Sequence, residues 1–391
     1  MNTKSTRSVG LVAVVAALAL TACGTTSTDG SAPEANSSTD AASSSSAEAP
    51  AEASNPCTEE AAAAVEAARA PLDVKGPASP VDMKENAGKS LWLISAGQTE
   101  FTQSVADGFV QSAEAAGMSA KYVEAKGQVT VMQNLVDQAV AANADGIVLF
   151  NITPETVQAQ LERATEAGVT VIDFNNGDPD DPLQPGVFAH VASTFSDDGK
   201  KTADWMMADS DCQVNMATFT IPVVNVVELM INGAIDQLAA KCPTCKVTES
   251  DFSYATFASA LGPQAETVMR RDPGINYINP AADAFASVIN PVLQASGLTV
   301  KITGHDGNSS NLKAMTEGNT LQAMTVAAPP ADYTGWALVD QLGRGMLGMP
   351  SADWALPGRI IDSKNIGDGS DAVVYPGFED FPNLFTAAWG Q

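Results

Sequence analysis

Short apolar runs alternate with segments of helical spacing from residue 90 to about residue 347. Continuously apolar runs such as SLWLISA (90–96) and GIVLF (146–150) predict strands buried on both faces. Strands that alternate with helices in this way predict parallel sheets with helices on both sides. The runs are SLWLISA (90–96), KYVEA (121–125), GIVLF (146–150), VTVIDF (169–174) and VFAHVA (187–192) in the first half, and VNMATFT (214–220), KVTES (246–250), INYI (275–278), LTVKITG (298–304) and LQAMTV (321–326) in the second.

The length of this alternating region constrains the fold further. About 330 residues follow the N-terminal region described below, which is too many for one ordinary hydrophobic core and suits two lobes. The content of 45% hydrophobic and 17% charged residues is typical of a folded, water-exposed protein. We therefore predict the α/β class with two doubly wound parallel-sheet lobes. In such sheets, ligands bind beyond the carboxyl ends of the strands.

The first residues are typical of an export signal. Lys4 and Arg7 precede an apolar stretch, residues 9–20, that is too short to span a bilayer. LTAC (20–23) then resembles the lipobox of bacterial lipoproteins, in which cleavage leaves the cysteine first and its thiol carries lipid. We predict a signal peptide over residues 1–22 and lipidation of Cys23. The alternative is an ordinary secretory signal with an incidental cysteine.

Residues 23–56 contain almost no large apolar side chains and consist mainly of Ser, Ala, Thr, Pro, Gly and acidic residues. Such a segment cannot bury enough surface to offset its ordering entropy, so we predict a disordered tether, followed by an N-terminal helix and lead-in over residues 57–87. The formal net charge of −26 disfavours nucleic acid and anionic lipid as partners. We therefore expect no nucleic-acid partner, and contact with the membrane through the lipid anchor only.

Four cysteines remain after the lipobox, and outside the cytoplasm such cysteines usually form disulfides. Cys242 and Cys245 have the C-x-x-C spacing that also occurs in redox and zinc sites. A zinc site needs four ligands, and neither of the two histidines of the chain lies near this pair in sequence. We therefore predict structural disulfides and no metal site. Three pairings of Cys57, Cys212, Cys242 and Cys245 are open, and we favour Cys212 with Cys242.

Small polar residues follow several predicted strands, at the edge where a ligand would bind. Amides and carboxylates can each bridge adjacent hydroxyls of a neutral polyhydroxy ligand, and an aromatic ring can pack on the C–H face of a sugar. Each loop alone is better explained by the preference of Asn, Asp, Thr and Gly for turns and helix caps. Four such loops at strand ends together favour a binding role. The candidate residues are Thr99, Phe101, Thr102, Asn151, Asn175, Asn176 and Asp306.

Four segments, in this order and spacing, resemble the type I periplasmic binding proteins of ABC sugar transporters, most closely the ribose-binding branch. They are SAGQTEFTQSVADGFVQSAEAAGM, GIVLFNITPE, GVTVIDFNN and ITGHDGN, and the similarity covers roughly residues 88 to 362. The resemblance implies two lobes joined by a three-segment hinge, with ligand trapped in the cleft when the lobes close. It implies a first lobe of residues 88–194 plus 328–356 and a second of residues 195–327 plus 357–391.

The resemblance also implies residue roles. The candidates before residue 177 would face the cleft from the first lobe, and Asp306 would accept hydrogen bonds from ligand hydroxyls. Asp283 matches an acidic residue that orients the hinge or the ligand. The chain departs from the family where Met230 replaces an Arg, where Ala282 replaces an Asn, and where VAAPP (326–330) replaces a hinge Gln. These departures predict a less polar wall, with Met230, Tyr254 and Phe257 lining it, and a ligand with fewer hydroxyls.

We therefore predict an extracytoplasmic lipoprotein, anchored to the cell membrane by Cys23, that captures a small neutral polar ligand between its lobes. The ligand would be a sugar, deoxy sugar or polyol, delivered to an ABC permease and its ATPase by a monomer that needs no cofactor. The alternative is a ligand-loaded sensor for a membrane receptor, and a cleft enzyme is a third class. His305 beside Asp306, with no obvious nucleophile, favours support of the cleft over catalysis, so we predict no enzyme.

Two further motifs fail on their context. GRGMLG (343–348) matches a dinucleotide-binding pattern but follows a predicted helix, whereas that pattern requires a preceding strand. SNLK (310–313) lacks the partner motifs of penicillin-binding enzymes. Neither motif therefore indicates an active site.

Overall fold

The computed structural model describes residues 55–73, 76–222, 224–367, 378 and 380–391. The predicted signal peptide, Cys23 and almost all of the predicted tether lie outside these residues. The last two residues of the predicted tether instead start helix α1 (Pro56–Ala68), with Asn55 as its N-cap and Pro56 as its first residue. Its Oδ1 accepts a hydrogen bond from the Cys57 amide at 3.2 Å, which satisfies one of the free N–H groups of the first turn.

The first half of the body consists of β1 (Ser90–Ser95), α2 (Glu100–Ala115), β2 (Ser119–Glu124), α3 (Val129–Ala141), β3 (Gly146–Phe150), α4 (Gln158–Glu166), β4 (Thr170–Phe174) and β5 (His190–Val191). Its five strands are parallel, in the order β2-β1-β3-β4-β5. Along β1, Leu91 and Leu93 enter the core on one face while Trp92 and Ile94 enter the core on the other. Both faces of this central strand are buried, which explains why its sequence is mainly apolar.

The second half repeats this pattern with α5 (Phe195–Asp209), β6 (Asn215–Thr220), α6 (Asn225–Lys241), β7 (Lys246–Asp251), α7 (Phe257–Arg271), β8 (Tyr277–Asn279), α8 (Asp283–Ala295) and β9 (Lys301–Ile302). Its four strands are parallel, in the order β7-β6-β8-β9. Phe219 and Ile278 pack on one face of this sheet, and Met216 and Tyr277 pack on the other. The α/β class with two doubly wound lobes is confirmed.

A small third sheet follows, and it was not predicted. It is formed by β10 (His305–Asp306), β11 (Met324–Ala327) and β12 (Arg359–Asp362), with α9 (Ser309–Thr316) and α10 (Ala331–Met346) between the strands. Strand β12 runs antiparallel to β11. The predicted strand LQAMTV therefore pairs mainly outside the second sheet, to which a single bridge between Gln322 and Ile302 connects it.

The chain passes between the two halves three times, after β5, after β11 and before β12. The first and third crossings lie side by side, because the Leu356 amide donates to the Ala192 carbonyl at 2.9 Å. Ala192 and Ala355 also form a parallel bridge. These crossings correspond to the predicted three-segment hinge.

The disulfides join Cys57 to Cys212 and Cys242 to Cys245, so the favoured pairing of Cys212 with Cys242 is wrong. Helix α1 packs along α5 and brings Cys57 to the turn that follows α5. Cys242 and Cys245 close a turn at the end of α6. All four sulfur atoms belong to one apolar cluster. Their pairing depends on where α1 docks, and cysteine spacing carries no information about that.

The last helix, α11 (Phe381–Ala388), packs against α10, although we predicted that everything after residue 356 belongs to the second lobe. Trp389 stacks on Trp336 with ring centroids 5.4 Å apart, and Phe385 stacks on Trp354 at 5.5 Å. These rings share one core cluster with β1, β3 and β4. Buried aromatic contacts of this kind dominate local packing energies, so α11 belongs with the first half.

Candidate ligand-binding site

The carboxyl ends of strands from both halves surround an enclosed pocket of about 50 Å³, which we call the inner pocket. This is the position at which open α/β sheets bind ligands. The first half contributes the loops after β1, β3 and β4, and the second half contributes segments around the starts of α5, α6, α7 and α8 and strand β10. The lining residues are Thr99, Phe101, Thr102, Asn151, Asn175, Phe195, Val224, Val226, Val227, Met230, Tyr254, Ala282, Ala284, Phe285, His305 and Asp306.

The structure brings most of the predicted binding residues together at this pocket. Those that line it are Thr99, Phe101, Thr102, Asn151, Asn175, Met230, Tyr254 and Asp306. Asn176, Asp283 and Phe257 are not in the lining. Phe257 instead supports the wall from behind, with its ring centroid 5.6 Å from that of Tyr254.

Thr99 and Thr102 begin helix α2 with a capping box. Thr99 Oγ1 accepts from the Thr102 amide at 3.2 Å, and Thr102 Oγ1 accepts from the Thr99 amide at 2.6 Å. The Thr102 hydroxyl also donates to the Thr99 carbonyl at 3.1 Å. Both hydroxyls therefore fix the first turn of α2, which carries Phe101 into the pocket wall against Phe150.

Asn151 and Asn175 follow β3 and β4 directly and adopt left-handed backbone conformations, with φ of 51° and 55°. Asn tolerates this conformation better than most residues. The side-chain oxygen of each is buried and accepts no hydrogen bond from any residue that the structure describes. Asn175 as a whole is only 7% exposed. A buried acceptor without a partner costs about 1–3 kcal/mol, so these two oxygens lack a donor that a ligand would supply.

Asn176 serves the scaffold instead. Its side-chain amide donates to the carbonyls of Leu149 at 3.1 Å and Phe174 at 3.3 Å, at the ends of β3 and β4. Its own carbonyl accepts a hydrogen bond from the Asn225 side chain in the second half at 2.8 Å. The sequence places Asn175 and Asn176 side by side, and only the backbone geometry decides which one faces the pocket.

A buried charge network forms the polar part of the second-half wall. His305 Nε2 lies 3.0 Å from Asp198 Oδ2, and its Nδ1 lies 3.1 Å from Asp306 Oδ1. Burial alone would lower the pKa of His305, but the hydrogen bonds and charges of the two carboxylates raise its pKa to about 10. Burial raises the pKa of Asp306, whereas the imidazolium opposes that shift by favouring the carboxylate. The other oxygen of Asp198 binds Lys201 Nζ at 2.6 Å.

Asp283 positions the loop that carries Asp306. Its carboxylate is completely buried and accepts from the amides of Gly307 at 2.9 Å and Asn308 at 2.8 Å. The Gln322 side chain donates to it at 2.6 Å. Burial and the nearby charge of Asp306 raise the pKa of Asp283 to about 7. Asp283 thus orients part of the binding wall without lining the pocket.

The remainder of the second-half wall is apolar. The sequence indicated Met230 and Tyr254, but it gave no sign that Phe195, Phe285 and the valines near the start of α6 would join them. These residues stand at or near the first turns of helices. The sequence could have indicated them in one way. A helix that follows a parallel strand begins at the edge of the sheet where ligands bind, so the first apolar residues of that helix are candidates for the pocket wall.

The two halves touch across the pocket. The Tyr254 ring from the second half packs against Gly97 and Gly127 of the first half. On another side, Ser310 donates to the Glu100 carboxylate through its amide at 3.2 Å. The structure therefore has its halves closed, and the small inner pocket requires them to separate for a sugar-sized solute to enter.

A second, open cavity of about 410 Å³ adjoins the inner pocket, and we call it the outer cavity. Phe101 and Asp306 line both spaces. The outer cavity also has three acidic residues in its wall, Glu100, Asp107 and Asp332. Neither lining set includes a Lys or Arg.

A two-lobed α/β body with a polar and aromatic pocket between its halves defines a solute-binding architecture. The profile of the family described as periplasmic binding protein domain matches residues 91–344, so the chain belongs to this family. It is a family of extracytoplasmic binding proteins and not a class of enzymes. No curated protein matches the chain. Within the described residues, no helix has the length and apolar character needed to cross a membrane.

Solved structures of sugar-transport proteins share the fold. A sugar ABC transporter protein from Yersinia enterocolitica is 17% identical with a TM-score of 0.67, over 80% of this chain and 99% of that one. An ABC sugar transporter subunit from Rhodobacter sphaeroides is 17% identical with a TM-score of 0.64, over 71% and 99%. A solute-binding protein from Burkholderia graminis in complex with D-arabinose is 19% identical with a TM-score of 0.64, over 72% and 97%. At these identities the similarity concerns the fold.

Proposed function

We propose that this protein is the solute-binding component of an ABC importer and that it captures a small sugar-like solute in the inner pocket. The solute would be a sugar, deoxy sugar or polyol with few hydroxyl groups. The observation that carries this proposal is the pair of buried, unpartnered amide oxygens on Asn151 and Asn175, which line one pocket with Asp306. Solute hydroxyls would donate to these acceptors, while the rings of Phe101 and Tyr254 would pack on the C–H faces of the solute.

The threonine hydroxyls and the imidazole of the pocket are already hydrogen-bonded, which agrees with binding of a solute without turnover. The Thr99 and Thr102 hydroxyls are engaged in the capping box, and both ring nitrogens of His305 are engaged by carboxylates. A nucleophile or a general base needs a free reactive atom next to the substrate. The two threonines and His305 therefore serve the architecture of the pocket and not a chemical step.

The mature protein would act as a monomer outside the cytoplasm, held to the membrane by lipid on Cys23. The closed halves would present a joint surface to a membrane permease, whose ATPase partner works inside the cell. The first lobe would comprise residues 88–194 and 328–356 together with α11, and the second would comprise residues 195–327 with β12. The sugar-transport context of the similar structures supports this assignment.

Native mass spectrometry of the freshly purified protein tests the proposal. We expect a bound mass of one small solute on the wild type, or binding of one compound from a panel of pentoses, hexoses, deoxy sugars and polyols. Asn151→Gly and Asn175→Gly remove the two acceptors without left-handed strain, because glycine accepts positive φ freely. Each change should weaken binding about tenfold, the equivalent of one hydrogen bond of about 1.4 kcal/mol.

Asn143→Gly is the matched control. Asn143 has a φ of 57° but is exposed on the surface, away from the pocket lining. This control should bind as tightly as the wild type. The proposal fails if no sugar or polyol binds, or if the control loses as much affinity as the two pocket variants.

A further inference from the structure

The inner pocket combines neutral amides with one carboxylate, and this bears on the chemistry of the solute that the proposed function assigns to it. A sugar hydroxyl both donates and accepts hydrogen bonds, so a site for a neutral sugar usually offers it donors as well as acceptors. Here Asn151 and Asn175 each offer an acceptor oxygen and an NH2 donor group without a partner among the described residues, and Tyr254 offers a hydroxyl, whereas the Asp306 carboxylate only accepts. The hydroxyl hydrogens of the capping-box threonines and the N–H groups of His305 already have partners.

The pairing of the charges around the pocket distinguishes Asp306 from Asp198. Asp198 forms ion pairs with both Lys201 and His305, whereas Asp306 forms an ion pair with His305. Within the described chain, no residue donates to Asp306 Oδ2, and Asp306 lines both the inner pocket and the outer cavity. Asp306 therefore keeps one carboxylate oxygen without a partner, and the positive side chain in the inner-pocket lining is its own partner His305.

Aromatic rings supply a second source of attraction for positive charge. Phe101 enters from the first half, and Phe195, Tyr254 and Phe285 enter from the second. The face of an aromatic ring carries negative electrostatic potential and attracts a cation. Rings from both halves, combined with a carboxylate, are groups that can recognise an ammonium group.

The outer cavity would favour the approach of the same kind of solute. Glu100, Asp107 and Asp332 lie in its wall beside Asp306, and the chain carries a formal net charge of −26. Acidic walls at the mouth of a pocket raise the local concentration of cations and repel anions. The acidic residues alone would not define a site. The buried, unpartnered oxygen of Asn175, which is 7% exposed and lines the inner pocket, supplies the independent indication of a ligand.

We propose that the captured solute carries a protonated nitrogen, as an amino sugar or an aminated polyol does, with its ammonium group between Asp306 and the aromatic rings. The hydroxyls would pair with the amides of Asn151 and Asn175, which both donate and accept, and the ammonium group, which donates and cannot accept, would pair with the Asp306 carboxylate. The sequence indicated an uncharged sugar or polyol, which differs from this solute only in lacking the amino group.

Matched compounds test this inference in titration calorimetry. Each set contains a neutral compound, its amine and its N-acetyl derivative, namely glucose, glucosamine and N-acetylglucosamine, the same three forms of galactose, and sorbitol with 1-amino-1-deoxysorbitol and its N-acetyl form. Choline serves as a cation without a polyol. We expect at least one amine to bind at least tenfold more tightly than both its neutral and its N-acetyl partner, with affinity that falls as NaCl is raised.

Asp306→Asn should abolish the preference for the amine, and Asn also tolerates the φ of 103° at this position. The ligand-free melting temperature should fall, because the variant removes one of the two carboxylates that pair with buried His305. If this variant folds poorly, the comparison of the amines with their neutral and N-acetyl partners on the wild-type protein still tests the inference. Equal or tighter binding of the neutral compounds would overturn the inference and leave the proposed function intact. Binding of choline alone would retain the cationic site and overturn the sugar assignment. No binding by any compound would overturn both.

Discussion

Replacing Gly97 by Ala tests whether closure of the two halves governs solute affinity. A Cβ at residue 97 would lie 3.0 Å from Cζ and 3.1 Å from Cδ1 of Tyr254, and closer still to the Cε1 between them. Carbon atoms in favourable contact are about 3.5–4.0 Å apart, so the ring or the whole second half must move back. Overpacking of this kind costs about 1–3 kcal/mol. The cost applies to the closed form only, so affinity should fall by roughly 5- to 150-fold.

A double-mutant cycle in calorimetry isolates this contact. The titrant is the compound that binds the wild type most tightly in the panels of sugars, polyols and amines described above. Tyr254→Ala removes the ring, so adding Gly97→Ala in that background should change affinity very little. The ligand-free melting temperature should be nearly equal for Gly97→Ala and wild type, because each half keeps its own core. The reasoning is refuted if Gly97→Ala leaves affinity unchanged, or if it weakens binding equally in both backgrounds.

Two further predictions concern stability. Replacing Cys57 and Cys212 by Ala should lower the free energy of unfolding by up to about 5 kcal/mol, because that disulfide joins residues separated by 155 positions. Replacing Cys242 and Cys245, which are separated by 3, should lower it by about 2 kcal/mol. Chemical denaturation that gave the reverse order would contradict the argument from loop length. The stability that protonated His305 contributes should be complete below about pH 6.5 and be lost as pH rises towards its folded pKa of about 10. His305→Gln should therefore flatten the fall in melting temperature across this range, and an unchanged slope would show that the ring does not titrate as described.

The parallel sheets and the edge that binds solute could be predicted from the sequence because their signals are local. An apolar run such as GIVLF (146–150) has few alternatives to a buried strand, and the residue that follows it necessarily lies at the carboxyl edge. Asn151 and Asn175 were found in this way. The same reasoning gathers Thr99 and Asp306 at one pocket, although they are far apart in the chain.

The features that could not be predicted depend on contacts between distant elements. The partner of Cys57 is decided by the docking of α1 on α5, and the position of α11 is decided by the stacking of Trp389 on Trp336. The different roles of Asn175 and its neighbour Asn176 follow from backbone angles at the end of β4. Each of these is a tertiary property that a single sequence does not encode in any local pattern.

A crystal structure of the protein with its solute is the most direct test of capture between the halves. The account predicts density for one small molecule in the inner pocket, with solute donors within hydrogen-bond distance of the side-chain oxygens of Asn151 and Asn175 and of Asp306. It would be contradicted by a bound solute that lies only in the outer cavity or elsewhere on the surface while both amide oxygens stay unpaired.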